Sequence, residues 1–171
     1  LQPEESWNIG IGTVVYFSIF DKMFTLDADI FRTEFINQVI SDLDISPNAV
    51  HFTNSSGSFS NSAQVRLQGE VSSALTLAVA YRFNDVQFTT NGILQQRALY
   101  SPHKSFLSIS YTPSDWQFDA TWTYRSGGRI PFVAAKHSLG SDESHDYATS
   151  FDGFSIVNLQ AQYKFMGIEL Y

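Results

Sequence analysis

Seven runs of alternating apolar and polar residues, joined by connections that go short, long, short, long, short, long, short, constrain this chain more than anything else in it. Alternation at a period of two sends successive side chains to opposite faces of a strand. The first run covers about Trp7–Phe17: Trp7, Ile9, Ile11, Thr13, Val15 and Phe17 share one face, and Asn8, Gly10 and Gly12 lie on the other with Val14 and Tyr16. A short turn around Phe20-Asp21-Lys22 leads to the second, where Phe24, Leu26, Ala28 and Ile30 oppose Thr25, Asp27 and Asp29. Alternation blurs from Phe31 to Phe35. A strand that projects beyond a bilayer would lose its lipid constraint there, and a bulge would have the same effect. From Val39 to Ser60, with Pro47 and Asn54-Ser55-Ser56-Gly57-Ser58, the composition predicts a long loop.

The third run is the cleanest, with Ala63, Val65, Leu67, Gly69 and Val71 against Gln64, Arg66, Gln68 and Glu70. After a short Ser72-Ser73-Ala74 turn, Leu75, Leu77, Val79, Tyr81 and Phe83 oppose Thr76, Ala78, Ala80, Arg82 and Asn84. A loop is expected from about Thr89 to Lys104, with Asn91-Gly92 and Ser101-Pro102 as breakers. Strand five sets Leu107, Ile109 and Tyr111 against Ser108, Ser110 and Thr112, and Pro113-Ser114-Asp115 makes a tight turn. Strand six sets Trp116, Phe118, Ala120, Trp122 and Tyr124 against Asp119, Thr121, Thr123 and Arg125. The longest irregular stretch follows, from Ser126 to about Phe154. Strand seven has Val157, Leu159, Ala161, Tyr163 and Phe165 on one face, and a turn at Met166-Gly167 opens an eighth strand, Ile168-Glu169-Leu170-Tyr171.

Each run holds about ten residues, near the roughly 9–11 that cross a bilayer when tilted. Unpaired backbone groups are too costly in hydrocarbon, so a spanning sheet closes into a barrel with an outer face on lipid and an inner face on water or a plug. Arg66 and Glu70 then share the inner face without desolvation. Short turns on one side and long loops on the other are the habit of outer-membrane barrels. A soluble sheet with one packed and one solvated face gives the same alternation, though seldom with loops so sorted by length. Aromatic residues near the strand ends, Trp7, Phe17, Phe24, Phe83, Trp116, Tyr124 and Phe165, suit the girdles of a membrane interface or simply the preference of aromatics for strands. The fold class is therefore all-β: an antiparallel transmembrane barrel segment of seven to eight strands.

Composition closes off other classes. The net charge of -7 argues against a nucleic-acid surface. The absence of cysteine removes disulfides and thiolate chemistry. No stretch reaches the length of an apolar helical span, and the opening Leu1-Gln2-Pro3-Glu4-Glu5-Ser6-Trp7 lacks the features of a signal peptide.

In order and spacing, several segments resemble the C-terminal barrel region of a TonB-dependent outer-membrane receptor of the Bacteroidetes type. They are Leu1–Asn8, Phe31–Val39, Ala80–Val86, Ser101–Lys104, Trp122–Pro131 and Val157–Phe165. The resemblance covers essentially the whole chain. It implies a place in a larger barrel of about 22 strands, set in outer-membrane lipid and filled by a plug. Such receptors import a scarce ligand: a metal chelate, cobalamin, haem, a glycan or a peptide. TonB acts on a segment ahead of the plug. On this reading residues 1–171 are a partial barrel domain without plug or TonB-contacting segment.

No catalytic constellation is found: Ser56 and His51 lie in a polar stretch without a nucleophile elbow. No enzyme activity, cofactor or metal site is expected. Asp142, Glu143, Asp146 and Asp152 lack a calcium-loop spacing, and His51, His103, His137 and His145 lack a fixed ligand spacing; both read as solvated loop residues. Arg125 and Arg129 bracket Gly127-Gly128 and, with Arg97, would greet an anionic ligand; the tips at Asn54 and at Asp142-Glu143 would instead meet a sugar or peptide. Two other functions stay open at this point. One is a small stand-alone outer-membrane barrel of structural or adhesive role, since eight strands can close; the other is a soluble all-β ligand-binding module. Extracted in detergent from outer membranes, the intact polypeptide is expected to have a mass several times 19.2 kDa; a mass near that value favours the stand-alone barrel, and absence from membranes the soluble module.

Overall fold

Antiparallel ladders put directly opposed residues on the same face, so one register decides the orientation of every side chain along a row. The computed structural model describes residues 1–44, 49–90, 92–131, 149–165 and, for the backbone, 168–170. Its strands are β1 (Glu5–Ile19), β2 (Lys22–Asp42), β3 (His51–Ser55), β4 (Ser58–Ser72), β5 (Leu75–Thr90), β6 (Ile93–Gln96), β7 (His103–Tyr111), β8 (Trp116–Arg125), β9 (Gly128–Arg129), β10 (Ser150–Phe151), β11 (Phe154–Phe165) and β12 (Ile168–Leu170). The main sheet runs β1-β2-β4-β5-β7-β8-β11-β12, each strand beside its successor in the wall. β3 extends it beside β2 and β6 beside β5, while β9 and β10 form a separate small ribbon. β1 and β12 do not pair with each other, so the described sheet is open and is not a closed eight-stranded barrel.

One row shows what the register achieves. Val15 opposes Leu26, and the row continues through Leu67, Val79, Leu107, Trp122 and Val157. It is apolar on every strand, and Val15, Leu67, Val79, Trp122 and Val157 are exposed. On the other face Gln68, Ala78, Ser108, Thr121 and Asn158 line up. An exposed apolar surface of this extent marks a lipid or partner interface. Its height can be read on β2. Between Lys22 and Arg32 the apolar face of that strand carries only Phe24, Leu26, Ala28 and Ile30. Ten steps at about 3.4 Å, tilted by about 40°, rise about 26 Å, which matches the roughly 25 Å apolar band of outer-membrane barrels. At its upper edge Arg32 forms an ion pair with Glu34, donates to Asn61 Oδ1 at 2.9 Å and lies 4.8 Å over the Phe59 ring.

Aromatics cluster at both edges of this band. Phe17 stacks on Phe24 at 5.8 Å, and Trp116 meets Phe118 at 5.6 Å and Tyr163 at 4.7 Å near the turns. Phe83 meets His103 at 5.1 Å, and Trp122 meets Tyr124 at 6.2 Å, nearer the loops. Trp7 opposes Glu34 and lies above the band. Gly69 sits opposite Phe24 with no room for a Cβ beneath that ring; the aromatic covers the glycine as a side chain cannot. The turns also follow the sequence. Ile19 pairs with Lys22 across Phe20 and Asp21, both at positive φ (49° and 59°), the geometry of a two-residue hairpin turn. Trp116 N–H donates to Pro113 O at 3.1 Å across the next turn but one. The turn at Met166-Gly167 lies outside the described residues.

Two of the three expected loops are largely strand. The stretch Val39–Ser60 contains the end of β2, all of β3 and the start of β4. Gln38 opposes Ser55 and Phe35 opposes Ser58, which is one continuous register across Ser56 and Gly57. The blurring at Phe31–Phe35 is therefore a strand that runs on past the apolar band and not a bulge; the register shift on that ladder falls further out, at Glu5/Ser6. Likewise β6 folds back on β5, Thr90 opposing Ile93, so a hairpin stands inside the expected loop Thr89–Lys104; Asn91 lies outside the described residues. The third, from Ser126 to Phe154, holds the β9–β10 ribbon, and residues 132–148 lie outside the described ones. The buried residues among those described all sit at this outer end: Ile40, Phe88, Ala98, Asp42, Ser55, Ser58 and Pro131. In the band the sheet has lipid-type surface instead of a core. An arginine at Val79 is accordingly expected to destabilise the full-length barrel by about 2–4 kcal/mol, and one at Ala78, on the polar face, to change it little; denaturant titration of refolding into lipid vesicles measures both.

Candidate functional site

All the long connections leave the same end of the sheet, so chemistry gathers above and just inside that mouth. Two side-chain systems stiffen it. Ser55 Oγ donates to Thr89 O at 2.7 Å and receives Thr89 N–H at 3.1 Å. Its single proton being so used, Ser58 Oγ donates to Ser55 Oγ across 2.8 Å. These bonds replace ladder bonds where β3 and β4 break at Gly57, whose φ is +74°. The second system centres on Arg129. Its Nη1 and Nη2 each reach an Asp44 carboxylate oxygen at 2.8 Å, and its Nε donates to Gln96 O at 2.9 Å. Gln95 Nε2 joins Asp44 Oδ2 at 3.2 Å, and Leu99 N–H donates to Arg129 O at 2.7 Å. A bidentate guanidinium–carboxylate pair is directional as well as strong. Here it clasps the ends of β2, β6 and β9.

The residues singled out from sequence separate in space. Arg129 is engaged in that clasp. Asn54 lies in β3, not at a loop tip, and its amide is occupied: Oδ1 accepts Gln2 N–H at 2.8 Å, and Nδ2 donates to Gln2 O at 3.1 Å and Asn37 Oδ1 at 3.0 Å. With Asn37 Nδ2 on Pro3 O at 2.6 Å and Val39 N–H on Glu4 Oε1 at 2.9 Å, it straps the first residues against β2. Arg97 is exposed beside a cleft that Ser41, Asp44 and Tyr100 also line. Arg125 ends β8 on the polar face, opposite Lys104, which opposes Arg82. Asp142 and Glu143 lie outside the described residues, as do Asp146, His137 and His145.

Sequence reasoning missed Arg82 and Lys104 as companions of Arg125. Arg82 was visible on the polar side of its strand, but Lys104 stood at the edge of an expected loop. The register that makes the three neighbours lies between strands and is not written in any one of them.

A family model described as the TonB-dependent receptor-like β-barrel matches residues 1–171. Barrels of that family reside in the outer membrane and serve receptors that transport. No curated protein and no solved structure gives a significant match.

Arg129→Ala removes both arms of the clasp and leaves the half-buried Asp44 carboxylate without its guanidinium. Hydrogen exchange is expected to show the β6 and β9 ends opening more readily, by about 1.5–3 kcal/mol, with the strands at bilayer height unchanged.

Proposed function

The chain belongs to the TonB-dependent receptor-like β-barrel family, and from that premise we propose that it forms part of the wall of a receptor that imports a scarce ligand across the outer membrane. The ligand is of the kind such receptors carry: a metal chelate, cobalamin, haem, a glycan or a peptide. The observation that carries the reading is the single-layered sheet with an apolar band about 26 Å high on one face and polar residues at the same height on the other. A soluble module would have to bury that band against a second layer. The open edges at β1 and β12 fit further strands of the same barrel, and the polar face fits a lumen closed by a plug. TonB would act through the plug-side segment, not through these strands. The role is transport and not catalysis.

The test is genetic and biochemical. The full-length protein is expected in the outer-membrane fraction, running anomalously on gels until heated. Deleting its gene and deleting tonB are expected to impair growth on the same limiting nutrient, without an additive effect. Recovery in the soluble fraction, or a growth defect that persists as a separate effect in the tonB strain, would overturn the proposal.

A further inference from the structure

Three cations stand side by side on the polar face. Arg82 opposes Lys104 in the β5–β7 ladder, and Lys104 opposes Arg125 in the β7–β8 ladder. Strands lie about 4.8 Å apart, so the row places three positive charges across about 10 Å of wall. Like charges directly opposed destabilise a ladder. Among the described residues none of the three is in an ion pair, the pairs there being Arg32–Glu34 and Arg129–Asp44. In the same row Gln64 separates Arg82 from Asp29. Lys104 Nζ lies 6.0 Å from the Tyr100 ring centre, and the Tyr100 hydroxyl accepts an Asn84 amide N–H at 2.5 Å. Arg82 and Arg125 are exposed.

The row also has a meaningful height. It lies just inside the mouth, level with the gap between Tyr81 and Phe83 on the outer face. Below it β5 presents Ala80 and then Ala78, with Phe106 and Thr123 beside Ala80 and Ser108 and Thr121 beside Ala78. On these three strands the two rows under the cations are uncharged, so no acid there competes for them. On these strands acids return only at the turn end, where Asp119 opposes Ser110. A solute entering from outside meets the positive row first, in a chain whose net charge is -7.

We propose that Arg82, Lys104 and Arg125 form a binding site for a small ligand bearing two or more oxyanions (carboxylate, phosphate or sulfate) within about 10 Å. The inference rests on the receptor reading above, because it requires the polar face to be the lumen. Each guanidinium offers a planar fork that matches an oxyanion in two bonds, and the ammonium between them supplies a point charge. Bound anions relieve the mutual repulsion of the row, so binding and the wall's own electrostatics favour the same state.

The test uses the full-length receptor in detergent and sucrose octasulfate as probe, with sucrose as its neutral counterpart, by calorimetry at physiological ionic strength. Wild type is expected to bind the sulfated sugar and not sucrose. The variant Arg82→Gln/Lys104→Gln/Arg125→Gln is expected to bind it about tenfold more weakly or worse. Arg66→Gln, on the next row down opposite Asp27, is expected to leave binding unchanged, and Arg82→Lys/Arg125→Lys to retain most of it. Heat-dependent gel mobility confirms assembly; should the triple variant not assemble, Arg125→Gln alone, at a strand end, is expected to weaken binding about threefold or more. Absence of binding to wild type, or equal binding by wild type and variant, overturns the site. So does unchanged binding with a plug that becomes open to trypsin, since the row would then hold acidic groups of the plug. Any of these results with normal outer-membrane fractionation and TonB dependence removes the anion site and leaves the receptor reading standing.

Discussion

Backbone hydrogen bonding in hydrocarbon is the constraint on which the rest of this structure depends. A peptide group at bilayer depth has no water to fall back on, so every strand at that depth must find its partner in the next. The ladders do this without interruption through the apolar band. Their irregularities fall at its edges or beyond: Glu5/Ser6 above, Glu70/Ser72 by a turn, and the break at Ser56-Gly57 well outside. With the backbone so committed, a side chain's only freedom is which face it occupies, and that follows from the parity of its position. The whole lipid surface is thus the sum of seven registers.

Outside the band the same chain obeys different rules. Water can satisfy the backbone, and strands persist only where side chains fasten them. Ser55, Ser58 and Thr89 do so with hydroxyl bonds, Asn37 and Asn54 with amides, and Arg129 with Asp44 through a bidentate ion pair. Burial follows the change of regime. Ile40, Phe88 and Ala98 are covered at the outer end, while apolar residues such as Ile11 and Leu159 stay bare at the height of the band.

This division also explains what could be read from the residues alone. Inside the band, apolar alternation is enforced by lipid, and strands, faces and turns such as Phe20-Asp21 and Pro113-Ser114 were legible. Beyond it that enforcement ends. Ser, Asn and Thr are as suitable for a water-exposed strand as for a loop, so Asn54-Ser55-Ser56-Gly57-Ser58 looked irregular although most of it lies in strands. The clasp was hidden for another reason: Asp44 and Arg129 are 85 residues apart, and nothing in either neighbourhood points to the other. The cation row needed two registers in succession, of which the sequence displayed only the parity within each strand.

The unbroken register from β2 through β4 and on into β3 has a mechanical consequence. From Arg32 to Asp42 the strand continues for as many residues as it spends between Lys22 and Arg32, so it stands about as far above the bilayer as it reaches through it. Because the pairing neither slips nor restarts at the boundary, the projecting part is a cantilever rooted in the wall. A force at its tip is carried down the same rungs that hold the sheet together in lipid. Its length changes without altering either faces or pairing when residues are added in equal number to both arms; an odd excess in one arm would turn every side chain above it to the opposite face.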